Sequence, residues 1–173
     1  EHNVRQSVGG EAGTLAMHSV KQQANPLMAY MFEIYADEAA YRVHTQSPQY
    51  KAFLQRSPGI LTEHKRKIAV TPQFLADKPI HATENTRVNY VAVDVRPEDA
   101  AAFARIVLDE MAQSIQLEPG VLAMYAATET ARPHRWHFFE VYADEAAYQQ
   151  HRQTPHFQHY LKETAHMLQD KHF

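Results

Sequence analysis

The chain contains no cysteine among its 173 residues. This absence excludes a disulfide framework, a thiolate metal site and a cysteine nucleophile. Glycine is also scarce, with 5 residues, and neither a GxGxxG motif nor a Walker loop occurs. Because such glycine-rich loops let the backbone approach phosphate groups closely, the sequence offers no support for a nucleotide or flavin site.

A strong charge imbalance is also lacking, since 17 basic residues face 20 acidic residues and the formal net charge is −3. Nucleic-acid binding needs a basic surface, so we expect no nucleic-acid partner. No run approaches the roughly 18 apolar residues of a membrane span, and we expect no membrane insertion. The N-terminus, EHNVRQSVGG, has neither an initiating methionine nor the apolar core of a signal peptide. We therefore expect a cytoplasmic protein, and a natural chain that begins upstream.

What the chain does contain is a long internal repeat. Phe32–Leu54 and Phe139–Leu161 share 13 identities over 23 positions without a gap, at an offset of 139 − 32 = 107. The same offset aligns EAGTLAM (Glu11–Met17) with EPGVLAM (Glu118–Met124), with 5 identities in 7 positions. Because one register holds across two separate blocks, the chain contains two tandem copies of a small domain.

The second copy shows the order of its elements most completely. A β-branched run at Val88–Val95 predicts a strand, and Phe103, Val107 and Met111 recur at i+4 spacing on one face of a predicted helix. Further strands are predicted at VLAMYAAT and WHFFEVYA, and Asp144 is a suitable N-cap for the helix EAAYQQHRQ. The order β-α-β-β-α is that of a ferredoxin-like domain, which one more strand would complete.

The repeat also predicts the domain boundaries. The first domain covers residues 1–75 and ends with a strand at Lys67–Leu75, but its N-terminal strand and helix are largely absent from the chain. Residues 76–87 are the predicted linker. The second domain covers residues 88–173, and its last strand is expected to be absent. We expect an α+β protein of two tandem ferredoxin-like domains.

The phrases EPG, VLAM, FEVYADEAAYQQH and TPHF, in this order and spacing, resemble the antibiotic biosynthesis monooxygenase (ABM) family. The resemblance covers most of residues 11–75 and 88–173, and the chain resembles a tandem two-domain quinol monooxygenase. It implies paired domains that form a dimeric α+β barrel, here as a pseudo-dimer within one chain that could assemble further into a homo-oligomer. Family activities include cofactor-free oxygenation of quinols or aromatics, haem degradation and isomerisation of a phosphorylated sugar. The resemblance therefore narrows the fold more than the reaction.

The two copies keep a histidine at the same place, His44 and His151. Each follows a tyrosine by three residues and an alanine by four, so the ring is predicted on an apolar helix face. A structural hydrogen bond between helix and sheet is one interpretation, and a pocket-lining acid or base is the other. His156 occurs in the second copy alone, where the first has Gln49. If only one copy is active, the second is therefore the better candidate.

Glu33 and Glu140 each follow a phenylalanine in the middle of a strand. Strand alternation places Glu140 on the face of Trp136, Phe138 and Tyr142. An ionised carboxylate on an aromatic face needs a partner, which could be a histidine, a substrate hydroxyl or the backbone. We therefore take Glu33 and Glu140, with His44 and His151, as the candidate catalytic residues.

Several aromatic and polar residues of the second copy are candidates for substrate binding. Trp136 is the only tryptophan, and the first copy has Ala29 in its place, so it suits either core packing or stacking on a planar substrate. Asn89 matches an asparagine that contacts substrate or oxygen in several branches of the resembled family. The candidate substrate-binding residues are Asn89, Trp136, Phe138, Tyr142 and His156.

The chain has 12 histidines, yet no HExxH motif or other recognised zinc spacing occurs. We therefore expect no metal. The haem-degrading branch also fits poorly, because Leu54 and Leu161 stand where its axial histidine aligns. No cofactor is expected.

Three hypotheses follow. The first is cofactor-independent oxygenation of a quinol-like or polycyclic phenolic substrate by O₂, with a histidine base. The second is an isomerase or lyase acting on a small carbonyl compound, which could be phosphorylated and bound by Arg132 and Arg135 of one loop. The third is a non-enzymatic module that binds a small apolar ligand. The first is our main prediction, with a small aromatic or quinol-like substrate and O₂ as partners.

Overall fold

The computed structural model describes residues 7–52, 55 and 67–172. The chain divides into two compact units, Glu1–Lys67 (unit 1) and Ile68–Phe173 (unit 2). None of the helices in the described ranges is long and apolar enough to cross a membrane.

Unit 1 contains an antiparallel pair of strands, β1 (Thr14–Lys21) and β2 (Ala29–Tyr35), followed by helix α1 (Glu38–Thr45). The side chain of Asp37 caps α1 by accepting a hydrogen bond from the backbone N–H of Ala40 at 2.7 Å. Residues 7–10 are helical, at the position where the repeat places the end of the second copy's first helix. The described part of the first copy therefore begins within that helix.

Unit 2 is a five-stranded antiparallel sheet with helices between its strands. Its elements, listed in chain order, are β3 (Val70–Asp77), β4 (Arg87–Val95), a 3₁₀ turn (Pro97–Asp99), α2 (Ala100–Leu117), β5 (Val121–Glu129), β6 (Arg135–Tyr142), α3 (Glu145–Gln153), α4 (Pro155–Thr164), a 3₁₀ turn (Ala165–Met167) and β7 (Leu168–His172). The strand order is β3-β5-β6-β4-β7. The order β5-β6-β4-β7 is the ferredoxin-like arrangement, and the predicted α+β class is confirmed.

The expected absence of a last strand in the second copy is wrong. Leu168–His172 form β7, which pairs antiparallel with β4. The segment LQDKH is short and mostly polar, so it lacks the β-branched alternation that would predict a strand. As an edge strand it derives its order from backbone hydrogen bonds to β4, a contact that local composition does not encode.

The strand predicted at the end of the first copy is present as β3, but it belongs to unit 2. It pairs antiparallel with β5, with Leu75 opposite Tyr125. Because β3 continues to Asp77, the predicted linker begins two residues later than expected, and β4 begins at Arg87. The boundary between the two units therefore lies near residue 67 and not at residue 75. The reason is that β3 pairs with β5 of unit 2, a contact that the repeat does not reveal.

The core of unit 2 lies between its sheet and α2. Phe103, Val107 and Met111 are buried on the side of α2 that faces the sheet, as their spacing predicts. The Phe103 ring packs edge-on against Trp136, with ring centroids 5.2 Å apart. The Trp136 and Phe138 rings in turn stack on each other at 5.8 Å. Burial of these large apolar surfaces holds the helix layer on one face of the sheet.

The two copies share a close approach between a turn and a helix. A Cβ atom added at Gly120 would lie 2.5 Å from the Cβ of Ala147 on α3, and one added at Gly13 would lie 2.3 Å from that of Ala40 on α1. Such distances are far below van der Waals contact, so both positions require glycine. The repeated glycine and alanine therefore bring each turn against the helix that carries the repeated histidine.

Candidate functional site

The repeated histidine of the second copy, His151, is bound to a glutamate in the turn between α2 and β5. Its side chain is 2% exposed, and its Nδ1 lies 3.0 Å from Oε2 of Glu118. Because a carboxylate oxygen accepts, Nδ1 carries the hydrogen, and Nε2 of the neutral ring has a free lone pair. Glu118 therefore selects the tautomer of His151.

His156 binds the same carboxylate from the next helix. Its Nε2 lies 2.7 Å from Oε2 of Glu118. The position of His156 is fixed by the start of α4, where Thr154 accepts a hydrogen bond from the backbone N–H of Phe157 and Pro155 occupies the first turn. One oxygen of Glu118 thus joins α3, α4 and the turn after α2.

The first copy builds the same arrangement with one exchange. Nδ1 of His44 lies 3.0 Å from Oε2 of Glu11, and Nε2 of Gln49 donates to Oε1 of Glu11 at 2.6 Å. Although burial acts to raise it, hydrogen bonds from Thr14 and His44 hold the pKa of Glu11 below its ordinary value. The glutamine therefore makes the contact that His156 makes in the second copy.

The two copies differ on the other side of the histidine ring. In the second copy, Nε2 of His151 lies 3.6 Å from Oε1 of Glu110 on α2. In the first copy, Nε2 of His44 is buried and has no hydrogen-bond partner among the described residues. The repeat aligns Glu110 with Asn3, which lies outside the described residues. An acidic residue at this position of the repeat therefore occurs in the second copy and not in the first.

Glu110 is a buried acid within the helix layer, with a side chain 7% exposed. The Ser114 hydroxyl lies 2.7 Å from Oε1 of Glu110 and 2.9 Å from its backbone carbonyl oxygen. Burial raises the pKa of Glu110 to about 8, and the charges of Glu140 and Glu118 act in the same direction while the Ser114 bond opposes them. Burial therefore favours the protonated form of the Glu110 carboxyl group.

The sequence-predicted glutamates accept hydrogen bonds from tyrosines. Oε2 of Glu140 accepts from the Tyr142 hydroxyl at 2.7 Å, and Oε2 of Glu33 accepts from the Tyr35 hydroxyl at the same distance. Burial, followed by the Glu140 charge, raises the pKa of Tyr142. The Tyr142 and His151 rings lie 5.4 Å apart, so Glu140 and Tyr142 do lie near the histidine.

The carboxylate that contacts Nδ1 of His151 is that of Glu118, a residue that sequence reasoning missed. Its signal was available, because Glu11 and Glu118 are identical in the aligned blocks EAG and EPG. Glu110 was also missed. It lies three residues after Val107 and seven after Phe103, so the helical period that predicts the apolar face also places Glu110 on it.

Asn89 lies on β4 directly opposite Glu140 of β6. Its Oδ1 accepts a hydrogen bond from Nε of Arg87 at 3.0 Å, and the Arg87 guanidinium also forms an ion pair with Glu145 and lies over the Tyr148 ring. The structure therefore places Asn89 in a polar group at the start of β4, beside one of the predicted catalytic glutamates.

Trp136 and Phe138 are core residues in the structure. They are 4% and 5% exposed and pack on Phe103 of α2. Of the predicted substrate-binding residues, His156 is the one that the structure joins to His151 through a shared carboxylate. Trp136 and Phe138 instead form the apolar wall on the sheet side.

A cavity of about 220 Å³ opens beside the glutamate turn. Glu118, whose side chain is 13% exposed, lies in its lining and links it to His151. Other lining residues are Leu117, Gly120, Ala147, Gln150 and Thr154. The cavity therefore lies against the turn that carries the carboxylate which both histidines contact.

Donor atoms of Glu110, His151 and His156 lie within 4.8 Å of one another. Two imidazoles and a carboxylate suit Zn²⁺ or another divalent transition metal, so this group could hold such an ion. The three residues come from α2, α3 and α4, which is why no local spacing motif marks them.

A second polar cluster lies on the other face of the sheet. Nε2 of His137 lies 2.6 Å from Oε2 of Glu129, and Nδ1 of His137 contacts the Tyr90 hydroxyl. The guanidinium groups of Arg132 and Arg135 also bind Glu129. Although burial acts to raise it, hydrogen bonds from His137 and Arg132 hold the pKa of Glu129 below its ordinary value. In this cluster the buried charge of Glu129 is balanced by the two arginines and by the hydrogen bond from His137.

The second copy is a ferredoxin-like α+β domain. Helices cover one face of its sheet, and the group of Glu118, His151 and His156 lies among those helices. The sequence profile of the antibiotic biosynthesis monooxygenase family matches residues 1–56 and 87–163. The chain therefore belongs to the antibiotic biosynthesis monooxygenase family, and it carries two tandem domains of that family.

Two solved structures match nearly the whole chain. A "putative monooxygenase" from Lactobacillus acidophilus NCFM is 30% identical, with a TM-score of 0.91, over 99% of this chain and 80% of that one. A "putative monooxygenase" from Fusobacterium nucleatum is 29% identical, also with a TM-score of 0.91, over 99% of this chain and 78% of that one. Both support the two-domain architecture.

A shorter relative matches half of the chain. This "putative antibiotic biosynthesis monooxygenase" from Bacteroides thetaiotaomicron is 39% identical, with a TM-score of 0.51, over 51% of this chain and 85% of that one. Among curated proteins, no relative matches the chain. The family and the names of these structures thus indicate a monooxygenase-type activity in general.

Proposed function

We propose that the protein is a cofactor-independent monooxygenase that oxidises a quinol-like or polycyclic phenolic substrate with O₂. The proposed base is His151 of the second copy. The observation that carries the proposal is the hydrogen bond from Nδ1 of His151 to Glu118, because it leaves the Nε2 lone pair as the proton acceptor of a neutral ring. Family membership and the two-domain monooxygenase structures support the reaction class.

The reaction needs no external reductant. Nε2 of His151 takes the phenolic proton, and the phenolate transfers electrons to O₂ as a carbon–oxygen bond forms, which gives a peroxide at a ring carbon. After the peroxide is protonated, that carbon loses its hydrogen as a proton, the O–O bond breaks, and hydroxide leaves and takes up a proton as water. One oxygen atom remains as a quinone carbonyl and the other is reduced to water, both by electrons of the substrate. A site that excludes bulk water limits side reactions of the peroxide.

The second copy is the proposed working site. It has Glu110 beside Nε2 of His151, whereas the repeat aligns Glu110 with Asn3 in the first copy. Glu140 and Asn89, which face each other across β4 and β6, are proposed to contact the substrate hydroxyls. His156 and Tyr142 are proposed to lie at the edge of the ring, with Trp136 and Phe138 as the apolar wall. In the first copy, His44 and Glu33 keep the scaffold of this site.

An isomerase or lyase is the second candidate, because a histidine next to a buried carboxyl group is also suited to moving protons on a carbonyl compound. Both reactions use the same His151 and Glu110. They differ in their need for O₂, so one experiment separates them.

The test is conversion of a menadiol-type quinol by the full chain after treatment with a metal chelator, with and without O₂. We expect turnover above the spontaneous oxidation rate only in the presence of O₂, with one O₂ consumed per product, one of its oxygen atoms retained in the quinone and the other released as water. Enzyme-dependent conversion of a carbonyl substrate without O₂ would support the isomerase. Loss of quinol turnover after chelation would contradict a metal-free reaction, and saturable binding without turnover would indicate a ligand-binding module.

A further inference from the structure

We propose that Glu110, His151 and His156 form a binding site for one divalent transition metal ion, of which Zn²⁺ is the ion used here for the test. Donor atoms of the three side chains lie within 4.8 Å of one another. Two imidazoles and one carboxylate are an established set of three protein ligands for Zn²⁺, and they leave the fourth position for water. The three residues come from different helices, so the site exists only in the folded chain.

The spacing between His151 and Glu110 already suits a shared ion. Nε2 of His151 lies 3.6 Å from Oε1 of Glu110, which is outside hydrogen-bonding range. Two ligand atoms at about 2.1 Å from a tetrahedral ion lie roughly 3.4 Å apart. A shift of a few tenths of an ångström therefore places an ion between these two atoms. The donor atom of His156, within 4.8 Å of both, has to approach by no more than about 1.4 Å.

Glu118 orients both imidazoles for metal binding. Its Oε2 lies 3.0 Å from Nδ1 of His151 and 2.7 Å from Nε2 of His156. In each ring the nitrogen bonded to the carboxylate carries the hydrogen, so the lone pairs are on Nε2 of His151 and Nδ1 of His156. Histidines that bind a metal ion usually donate their other N–H to such a carboxylate, which fixes the ring and its tautomer. Glu118 therefore supplies the outer partner that a metal site needs.

A bound ion would also supply positive charge to a site rich in carboxylates. The ion pairs that the described residues form with Glu110 and Glu118 are made by His151 and His156. The buried Glu129 on the other face of the sheet is instead paired with two arginines. Because a histidine that binds a metal ion is neutral, one divalent cation would balance the two carboxylates of this site.

The first copy provides a matched comparison, because two of the three ligands are exchanged there for amides. The repeat aligns Glu110 with Asn3 and His156 with Gln49, and only the repeated histidine is kept, as His44. Zn²⁺ is bound in proteins by imidazole, thiolate and carboxylate groups. The first copy thus keeps the bonded histidine and glutamate but lacks the set of ligands, and we expect one ion per chain.

Metal binding predicts inhibition of the proposed reaction. The lone pair on Nε2 of His151 can hold the ion or accept the phenolic proton, but it cannot do both. Zn²⁺ should therefore inhibit quinol oxidation by occupying the base, and a chelator should restore turnover. This consequence rests on the proposed function, whereas the binding of the ion rests on the geometry of the three ligands alone.

The test titrates the full chain with Zn²⁺ by calorimetry after chelator treatment. The variants are His156→Gln, which introduces the amide of the first copy, Glu110→Gln, which removes the carboxylate, and the control His159→Gln at an exposed position of the same helix as His156. Circular dichroism checks that each variant is folded. We expect one tight site per chain in the wild type and in His159→Gln.

The two ligand variants should lose at least about 100-fold in affinity, since replacing even a hydrogen-bond partner of a ligand costs about 10–100-fold. The absence of a tight site from the wild type would overturn the proposal, and so would a site that survives in both ligand variants.

X-ray absorption at the zinc edge identifies the ligands of the wild type without any substitution. It should show four nitrogen or oxygen neighbours at about 2.0–2.2 Å, with the signature of two imidazoles. A shell with one imidazole or none would mean that the ion binds elsewhere on the protein, and it would overturn the assignment.

Turnover separates this inference from the proposed function, and Zn²⁺ suits the assay because it has no redox chemistry that could oxidise the quinol. At full occupancy, Zn²⁺ should abolish quinol oxidation by the chelator-treated wild type. In His156→Gln the inhibition should weaken in parallel with binding, measured against the zinc-free rate of that variant. Bound Zn²⁺ that leaves turnover unchanged or raises it would overturn the inhibition. If the chelator-treated wild type does not turn over, the proposed function fails, and calorimetry and X-ray absorption still decide whether the site binds the ion.

Discussion

His156 and Gln49 occupy the same position of the two copies, and each donates a hydrogen bond to the glutamate of its own turn. The distances are 2.7 Å to Glu118 and 2.6 Å to Glu11. The sequence difference between the copies at this position therefore leaves the contact unchanged. It alters chemistry rather than architecture, because imidazole can exchange a proton near neutral pH and an amide cannot.

This equivalence predicts how replacements of His156 affect stability. His156→Gln should change the free energy of unfolding by less than about 1 kcal/mol, because glutamine can donate to Glu118 as it does in the first copy. His156→Ala should cost about 1.5–3 kcal/mol, since a hydrogen bond to a carboxylate is lost. Urea denaturation of both variants checks this. Equal losses in the two would mean that the bond to Glu118 contributes nothing.

The proposed base predicts different effects of the two repeated histidines on activity. His151→Gln should lower quinol turnover on the order of 10²-fold, since glutamine cannot act as a base. His44→Gln, the matched change in the first copy, should leave turnover within about twofold, because the first copy has Asn3 where the repeat aligns Glu110. Oxygen consumption and circular dichroism of both variants measure this. Equal loss of turnover in two folded variants would contradict a single working site.

The close approach of the glutamate turn to α3 predicts a sensitive glycine. Gly120→Ala should cost about 1–3 kcal/mol, because its Cβ would overlap that of Ala147. Adding Ala147→Gly should recover part of the loss. As a control, Gly9 lies in helical residues with nothing within 4 Å of an added Cβ, and Gly9→Ala should stabilise by up to about 1 kcal/mol. Thermal unfolding of the variants checks both signs, and an unchanged Gly120→Ala would disprove the overlap.

The cluster around Glu129 predicts how acid destabilises the protein. The pKa of Glu129 is lowered in the folded state, so its contribution to stability is present above the unfolded value near 4.5 and is lost as the pH falls through the lower folded value. Glu129→Gln should therefore reduce stability at neutral pH and flatten its dependence on pH below about 4.5. Denaturation midpoints between pH 3 and pH 7 measure this, with the exposed Glu98→Gln as the control. A parallel pH dependence in wild type and Glu129→Gln would rule the contribution out.

The periodic elements were predictable because their signals are local. The apolar face of α2 was predicted from Phe103, Val107 and Met111 at i+4 spacing, and Asp144 was predicted to cap α3, where its side chain accepts from the N–H of Ala147. β7 was missed because a short polar edge strand is specified by its partner β4 and not by its own residues.

The candidate site was predicted only in part. His151 was identified from the repeat, but its bonded carboxylate belongs to Glu118, 33 residues earlier in the chain. Glu110 lies farther still and reaches the histidine because α2 and α3 pack on the same face of the sheet. Trp136, by contrast, was a candidate for stacking on substrate, and the structure buries it against Phe103. Residue type alone does not show whether a side chain lies beside His151 or is buried in the core.

By itself, the sequence determined the two-copy organisation, the order of most elements and the residues that the copies share. Helical period and turn residues act over a few positions, and the repeat register is found by comparing the chain with itself, so a single sequence is enough to identify all three. Only the tertiary structure decided which groups meet at His151. Burial and proximity arise from the packing of α2, α3 and the glutamate turn, and they raise the pKa of Glu110, an effect that its sequence position does not reveal.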